Sequence, residues 1–184
     1  FFADVARDVI EYVLRDLSHP EGGFYSAQDA ESAPDAGFPN QKEEGAFYVW
    51  TYSEIDRLLS PDETKVFVRH FGVENNGNVF ADSHGVFKGK NILHIITPPR
   101  EIAQQLGLHE SDIAKTLISA RAKLFAARAE RPHCHLDDKI LTSWNGLMIS
   151  ALARASQVLD DGRYLEVAER SARFILNCLF DVSS

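Results

Sequence analysis

Apolar residues recur at three- and four-residue spacing from the start of the chain. Val5, Val9, Tyr12, Val13 and Leu17 form one stripe, with Asp4, Arg7, Asp8, Glu11 and Arg15 on the other side. This spacing predicts an amphipathic helix, and no capping residue precedes it. The pattern returns near the end of the chain. Phe2-Ala3-Asp4-Val5-Ala6 corresponds to Tyr164-Leu165-Glu166-Val167-Ala168. At the same offset, Tyr12-Val13-Leu14 meets Phe174-Ile175-Leu176, and Leu17 meets Leu179. Aromatic positions repeat along with the apolar phase, so we read one structural unit used twice. A further helix is predicted over 138–159, with Leu141, Trp144, Leu147, Met148, Ala151, Leu152, Ala155 and Val158 as its stripe. Gly146, Ser150, Ala151, Ala153 and Ala155 make it rich in small residues, which suits a helix closely surrounded by others. The connection Asp160-Asp161-Gly162 is short, so the helices on either side of it should be antiparallel neighbours.

Shorter helices are announced by their caps. Thr51-x-x-Glu54 and Ser60-Pro61-Asp62-Glu63 read as capping boxes, the second with proline at the first helical position. Thr97-Pro98 opens another helix that Gly107 can close, and a longer one is predicted over 111–130. Short strands are expected at 24–27 and 46–51, separated by a polar excursion over 29–44. A second irregular segment is expected from Gly72 to Asn91.

These elements predict an all-α fold, a partial (α/α)6 toroid with short β-hairpins in its loops. Six hairpins of roughly 50–60 residues each would exceed the 184 residues here, so residues 1–184 are expected to be a fragment of a single α/α-toroid domain. Val5, Val9, Val167 and Ile175 should then be more exposed than their periodicity warrants, or be covered by another chain.

The charge balance narrows the partners. A net charge of -8 and a pI of about 5.3 argue against a nucleic-acid surface, which needs a clustered basic face. No apolar run approaches the roughly 20 residues of a membrane span. The only cysteines, Cys134 and Cys178, form no C-x-x-C pair and no disulfide framework, so a cytoplasmic, reducing setting is the default.

Two clusters could carry chemistry. In the first, Gly22-Gly23-Phe24-Tyr25-Ser26-Ala27-Gln28-Asp29-Ala30-Glu31, Asp29 and Glu31 would share one side of an extended segment and could do acid/base work or bind hydroxyls. The alternative is a hydrated turn in which Asp29 caps backbone N–H groups. In the second cluster, a loop delivers His135, Asp137, Asp138 and Lys139 to the start of a helix carrying Trp144 and Asn145. Indole faces stack on sugars, while Asp and Asn bind hydroxyls, so the set suits a polyol pocket. The alternative makes Asp137 or Asp138 an N-cap, places Trp144 in the core and sets Asn145 against a neighbouring loop. Glu44, with Tyr48 and Trp50, could add a carboxylate and aromatics to the first cluster, or be a charged hairpin end with packed rings. His133-x-His135-x-Asp137 lacks an evident fourth ligand, so no metal is expected, and no nucleotide fingerprint or other cofactor motif appears.

At these residues the chain resembles a known family. The runs Gly-Gly-Phe-Tyr-Ser-Ala-x-Asp-Ala from Gly22, Glu-Gly-Ala-Phe-Tyr-Val-Trp-Thr from Glu44 and His-Leu-Asp-Asp-Lys-x-Leu-Thr-Ser-Trp-Asn-Gly-Leu-Met from His135 are similar to the spermatogenesis-associated, thioredoxin-domain-containing protein family. Glu31 departs from the Asp usual there. The resemblance implies a parent with an N-terminal thioredoxin-like domain, absent here, then a six-hairpin glycosidase-like toroid similar to that of N-acylglucosamine 2-epimerases. Animal relatives include a secreted setting among the expectations.

Two functions are therefore expected as rivals. One is a carbohydrate-active or carbohydrate-binding toroid, glycosidase-like or sugar epimerase-like. Asp29 and Asp137 would be its acid/base candidates, and Tyr25, Glu44, Trp50, His135, Asp138, Lys139, Trp144 and Asn145 would contact a sugar or sugar-derived molecule. The other is a non-catalytic scaffold that binds a ligand or partner, with redox work left to the thioredoxin-like domain.

Overall fold

The computed structural model describes residues 1–37, 39–79 and 85–180. Its helices are α1 (Phe2–Asp16), α2 (Tyr52–Leu58), α3 (Pro61–Phe71), α4 (Pro99–Leu106), α5 (Glu110–Ala129), α6 (Thr142–Leu159) and α7 (Gly162–Cys178). Four two-residue strands, β1 (Ala27–Gln28), β2 (Glu31–Ser32), β3 (Glu43–Glu44) and β4 (Leu136–Asp137), form two antiparallel pairs, β1 with β4 and β2 with β3. The chain is thus mostly helical, as its periodicity predicts. Among the described residues, no helix is long and apolar enough to cross a membrane. The backbone divides into two compact units, 1–29 with 135–184, and 30–134.

In the first unit α6 packs along α7 and also meets α1. Its core is built from Ile10, Phe24, Leu152, Tyr164 and Ala168, with Met148, Ile149 and Ala155 against them. Asp160 turns the chain in a left-handed conformation (φ 53°), and the Asp161 carboxylate accepts the Arg163 N–H to start α7. That two-residue connection makes α6 and α7 neighbours, as expected. The helix predicted from 138 begins only at Thr142, after an N-cap Leu141 with no side-chain bond. The cause lies upstream: pairing of β4 with β1 keeps the backbone extended through Asp137, and the Asp137 carboxylate then accepts the Lys139 N–H. A local turn of that kind competes with the helix, so neither Asp137 nor Asp138 serves as its cap.

The second unit surrounds Ile55, Phe67, Ile102, Ile113 and Ala120. Both predicted capping boxes form: Thr51 and Ser60 accept the N–H of Glu54 and Glu63, whose carboxylates bond back to the cap backbone. Proline 98 precedes α4 and Gly107 closes it. The strand expected over 46–51 is instead a turn, with the N–H groups of Tyr48 and Val49 both donating to the Gly45 carbonyl. Arg131 dictates this shape. Its guanidinium lies 3.9 Å from the centre of the Trp50 ring, bonds to the carbonyls of Phe47 (3.0 Å) and Val49 (2.8 Å), and pairs with Glu54 (3.2 Å). The same guanidinium nitrogen also reaches the Ala46 carbonyl (3.4 Å), and the carbonyls of successive residues such as Ala46 and Phe47 would point to opposite edges of a strand.

Polar side chains organise the loops in one recurring way. The Asn91 amide accepts the Glu74 N–H (2.8 Å) and donates to the Glu74 carbonyl (3.1 Å) and the Trp50 carbonyl (3.3 Å). Asn78 does the same with the N–H and C=O of Ile92 and a second carbonyl, that of Gly72. Each amide thus satisfies one residue's backbone pair as a neighbouring strand would, which ties 72–78 to 91–92 within the segment read as irregular; residues 80–84 of that segment lie outside the described residues.

Candidate functional site

The third asparagine of this kind supports the candidate site. Tyr25 N–H donates to the Leu17 carbonyl and His19 N–H to the Gly23 carbonyl, closing an antiparallel bridge between Ser18 and Phe24. In such a pair the backbone groups of Phe24 itself point the other way. Asn145 on α6 meets them there: its Oδ1 accepts the Phe24 N–H (2.7 Å) and its Nδ2 donates to the Phe24 carbonyl (3.0 Å) and to the Leu141 carbonyl (3.1 Å). Asn145 is buried, and all three of these bonds go to backbone. Gly23 allows the close approach this needs. A methyl group there would lie 2.6 Å from the Phe174 ring. The Gly-Gly-Phe and Trp-Asn-Gly runs, 121 residues apart between Phe24 and Asn145, are two halves of one joint.

The strand leaving Phe24 is thereby aimed at β4. Ala27 pairs with Asp137 and Gln28 with Leu136, and the Asp29 N–H extends the ladder by donating to the His135 carbonyl (2.8 Å). Side chains alternate along each strand, so this register puts Ala27, Asp29, His135 and Asp137 on the same face. The small Ala27 leaves room there. The Ser26 hydroxyl donates to the Asp137 carbonyl (3.1 Å), and the Tyr12 hydroxyl on α1 holds the Gln28 amide (3.0 Å).

An open cavity of about 470 Å³ lies against this ribbon, lined by Ala27, Gln28, Asp29, His135, Leu136, Asp137, Asp138 and Lys139. Five of the ten sequence-predicted site residues therefore converge: Asp29, His135, Asp137, Asp138 and Lys139. Asp137 is ion-paired with Lys139 at 2.6 Å. The Lys139 ammonium holds the Asp137 carboxyl below the usual carboxylate range, helped by the Lys139 N–H. Asp137 is thus ionised at neutral pH, which suits a base or an electrostatic partner and not a proton donor.

The other predicted residues fall elsewhere. Asn145 is corrected from hydroxyl binder to backbone clamp, since its amide groups are already bonded and buried. Tyr25 is half-buried with its ring edge-on to His19, 5.6 Å between centres, and does not line the cavity. Trp144 is 53% exposed on α6, outside the cavity lining, so it is not a core residue either. Trp50 and Glu44 belong to the second unit. Trp50 is 2% exposed beneath Arg131 and offers no face for a sugar to stack on. Glu44 is exposed in β3, opposite Glu31. Sequence reasoning missed Gln28 and Tyr12: a helix-borne tyrosine that reaches a loop amide leaves no local signal. No group of three or more His, Cys, Asp or Glu side chains among the described residues is placed to hold a metal ion.

Sequence comparison bears on the whole chain. All of it aligns with human spermatogenesis-associated protein 20, 38% identical over 196 aligned residues. Over its whole length, the chain matches spermatogenesis-associated protein 20. The rat protein of that name is also 38% identical over the full chain, and uncharacterized protein B0495.5 of Caenorhabditis elegans is 38% identical over 96% of it. The chain spans about a quarter of the length of these relatives. No protein-family model matches. The aligned span contains both halves of the Asn145–Phe24 joint and the whole cavity lining.

Proposed function

We propose that the β1–β4 cavity binds a sugar or sugar-derived polyol, and that the chain is a carbohydrate-active or carbohydrate-binding part of an α/α toroid in a thioredoxin-domain-containing protein. The observation that carries this reading is the convergence of Asp29 and Asp137 on one face of a two-stranded ribbon, beside a cavity of about 470 Å³. That volume falls in the range of small-molecule sites. Carboxylates, an imidazole and an ammonium supply the donors and acceptors that a polyhydroxylated ligand requires. In a catalytic version Asp137 would act ionised, as base or charge stabiliser, with Asp29 as its partner across the ribbon. His135 is the local candidate for a base in an epimerisation.

One specific observation favours a non-catalytic reading. The Asp137 carboxylate is already engaged by Lys139, through both its ammonium and its N–H. In that case the ribbon is a binding surface, and chemistry belongs to other parts of the polypeptide.

A thermal-shift screen of neutral sugars and sugar phosphates against the full polypeptide and its Asp137→Asn variant separates the outcomes. The proposal expects at least one sugar to raise the midpoint of the native protein but not of the variant. Silence across the screen, with unchanged stability of the variant, contradicts it and leaves the scaffold reading.

A further inference from the structure

Two Asn-Gly steps occur in the chain, Asn76-Gly77 and Asn145-Gly146. Glycine puts no Cβ beside its own nitrogen, so that nitrogen can reach the carboxamide carbon of the preceding asparagine. Asparagine belongs among the thermolabile residues for this kind of reaction. The sequence makes the two steps equivalent, and the fold does not. Asn145 is buried with its amide bonded to three backbone groups, and the Gly146 nitrogen lies inside the helical ladder of α6. Asn76 is exposed, and its amide makes no hydrogen bond among the described residues. The Gly77 N–H is held in a turn, donating to the Glu74 carbonyl at 3.1 Å. The neighbouring asparagines each lack a condition. Asn75 is followed by a residue with a side chain, and the Asn78 amide is committed to Gly72 and Ile92.

We propose that Asn76-Gly77 is a site of spontaneous deamidation, and that isoaspartate formed there unlocks the Asn78 clamp. The Gly77 nitrogen attacks the Asn76 carboxamide carbon. A C–N bond forms, the bond to the side-chain NH2 breaks, and ammonia leaves with the Gly77 N–H proton. Water then opens the resulting succinimide on either side. Opening at the side-chain carbonyl leaves a normal aspartate. Opening at the main-chain carbonyl routes the backbone through the side-chain carbons and gives isoaspartate. This second product adds one methylene to the main chain immediately before Gly77, where the fold has no room for it. Gly77 sits at φ 85°, and a Cβ on it would lie 2.5 Å from the Lys90 carbonyl oxygen and 2.7 Å from the Lys90 nitrogen. Next along the chain, the Asn78 N–H donates to that same carbonyl (3.2 Å), and the Asn78 amide accepts the Ile92 N–H (2.9 Å). A longer main chain displaces Asn78 from both, so the tie between 72–78 and 91–92 opens. Normal aspartate keeps the backbone length and the tie. The inference is independent of what the β1–β4 cavity binds.

Ageing of the unmodified full polypeptide tests it. Folded and guanidinium-unfolded samples are kept at mildly alkaline pH, drawn over weeks and digested. Peptide mass and fragmentation locate each conversion, and methyl transfer by an isoaspartyl methyltransferase marks isoaspartate. In the folded protein Asn76 should convert at least ~10-fold faster than Asn145, whose reaction must wait for the clamp to open, while the two rates converge in guanidinium. The isoaspartate fraction, separated by ion exchange, should show faster hydrogen exchange at the Ile92 amide than unaged protein. An Asn76→Asp variant should exchange there at the unaged rate. A folded-state rate at Asn76 no higher than that at Asn145 overturns the proposal, and so does conversion led by Asn75 or Asn78. Unchanged Ile92 exchange in the isoaspartate fraction overturns the unlocking step.

Discussion

Replacing Asn145 tests the joint that holds the candidate site together. Asn145→Leu keeps the approximate volume while removing both ends of the clamp. The Leu141 carbonyl still receives the Asn145 backbone N–H of α6, so it is not orphaned. The Phe24 N–H and carbonyl lose the side-chain partners they have at 2.7 and 3.0 Å, in a buried setting. Each stranded group costs about 1–3 kcal/mol, so a loss of roughly 3–4 kcal/mol is expected. For a domain of this size that is a fall in Tm of about 6–16 °C. Asn145→Asp sharpens the argument. Its carboxylate can still accept the Phe24 N–H, but sets a second oxygen against the Phe24 and Leu141 carbonyls, formerly 3.0 and 3.1 Å from the donating Nδ2. The new carboxyl is therefore pushed up in the folded state. With a raised folded pKa, the native form gains a proton on acidification before the unfolded form does. The variant should recover stability relative to the parent as pH falls toward 4, because a protonated carboxyl can donate again. Urea unfolding across pH 4–7 measures both effects. A cost below about 0.5 kcal/mol for Asn145→Leu, or an Asn145→Asp penalty independent of pH, would refute the clamp.

Three further outcomes follow from the same bonds. Glu63 is held by the Lys123 ammonium (2.7 Å), the Ser60 N–H and the Ser119 hydroxyl, which bring its carboxyl from 4.5 to about 2. Full conversion at 1.36 kcal/mol per pH unit would give about 3 kcal/mol, and screening around the half-exposed Lys123 reduces that to ~1–2. This contribution is complete above about pH 4.5 and fades as pH falls toward 2, so Glu63→Gln should flatten the acid limb of the stability curve measured by urea melts. Arg131→Lys loses the planar fork that gathers the Phe47 and Val49 carbonyls over Trp50, and should cost about 2–3 kcal/mol by denaturant unfolding with a red-shifted tryptophan emission. Lys139→Ala removes the ion pair at Asp137, whose carboxyl should move up toward the ordinary aspartate range in a carbon-detected NMR titration.

The helices were legible because local rules coincide with burial. The two capping boxes, Pro61 and Gly107 mark their own ends, and the stripe on α7 becomes the buried Tyr164–Ala168–Ser171 face. The strand expected over 46–51 failed because its conformation is set by Arg131, more than eighty residues ahead along the chain. The late start of α6 has a similar origin, since β4 is kept extended by β1, a partner that no window around Asp137 contains. For the candidate site, sequence singled out polar residues that the fold draws together but could not divide them between cavity lining and backbone clamp. Asp29, Asp137, Asp138, His135 and Lys139 reach the cavity, whereas Asn145 serves Phe24. An amide that clamps a distant backbone and an amide that waits for a hydroxyl look alike until the partner's position is known. Val5 and Val9 are exposed as expected, while Val167 and Ile175 are half-buried.

The most direct test of the account is a backbone amide NMR titration of the full polypeptide with neutral sugars and polyols. A sugar-binding ribbon requires concerted, saturable shifts in two stretches distant in sequence, Ala27–Asp29 and His135–Lys139, both weakened by Asp137→Asn. Shifts confined to other regions, or none at millimolar ligand, would contradict the assignment of this cavity as the binding site.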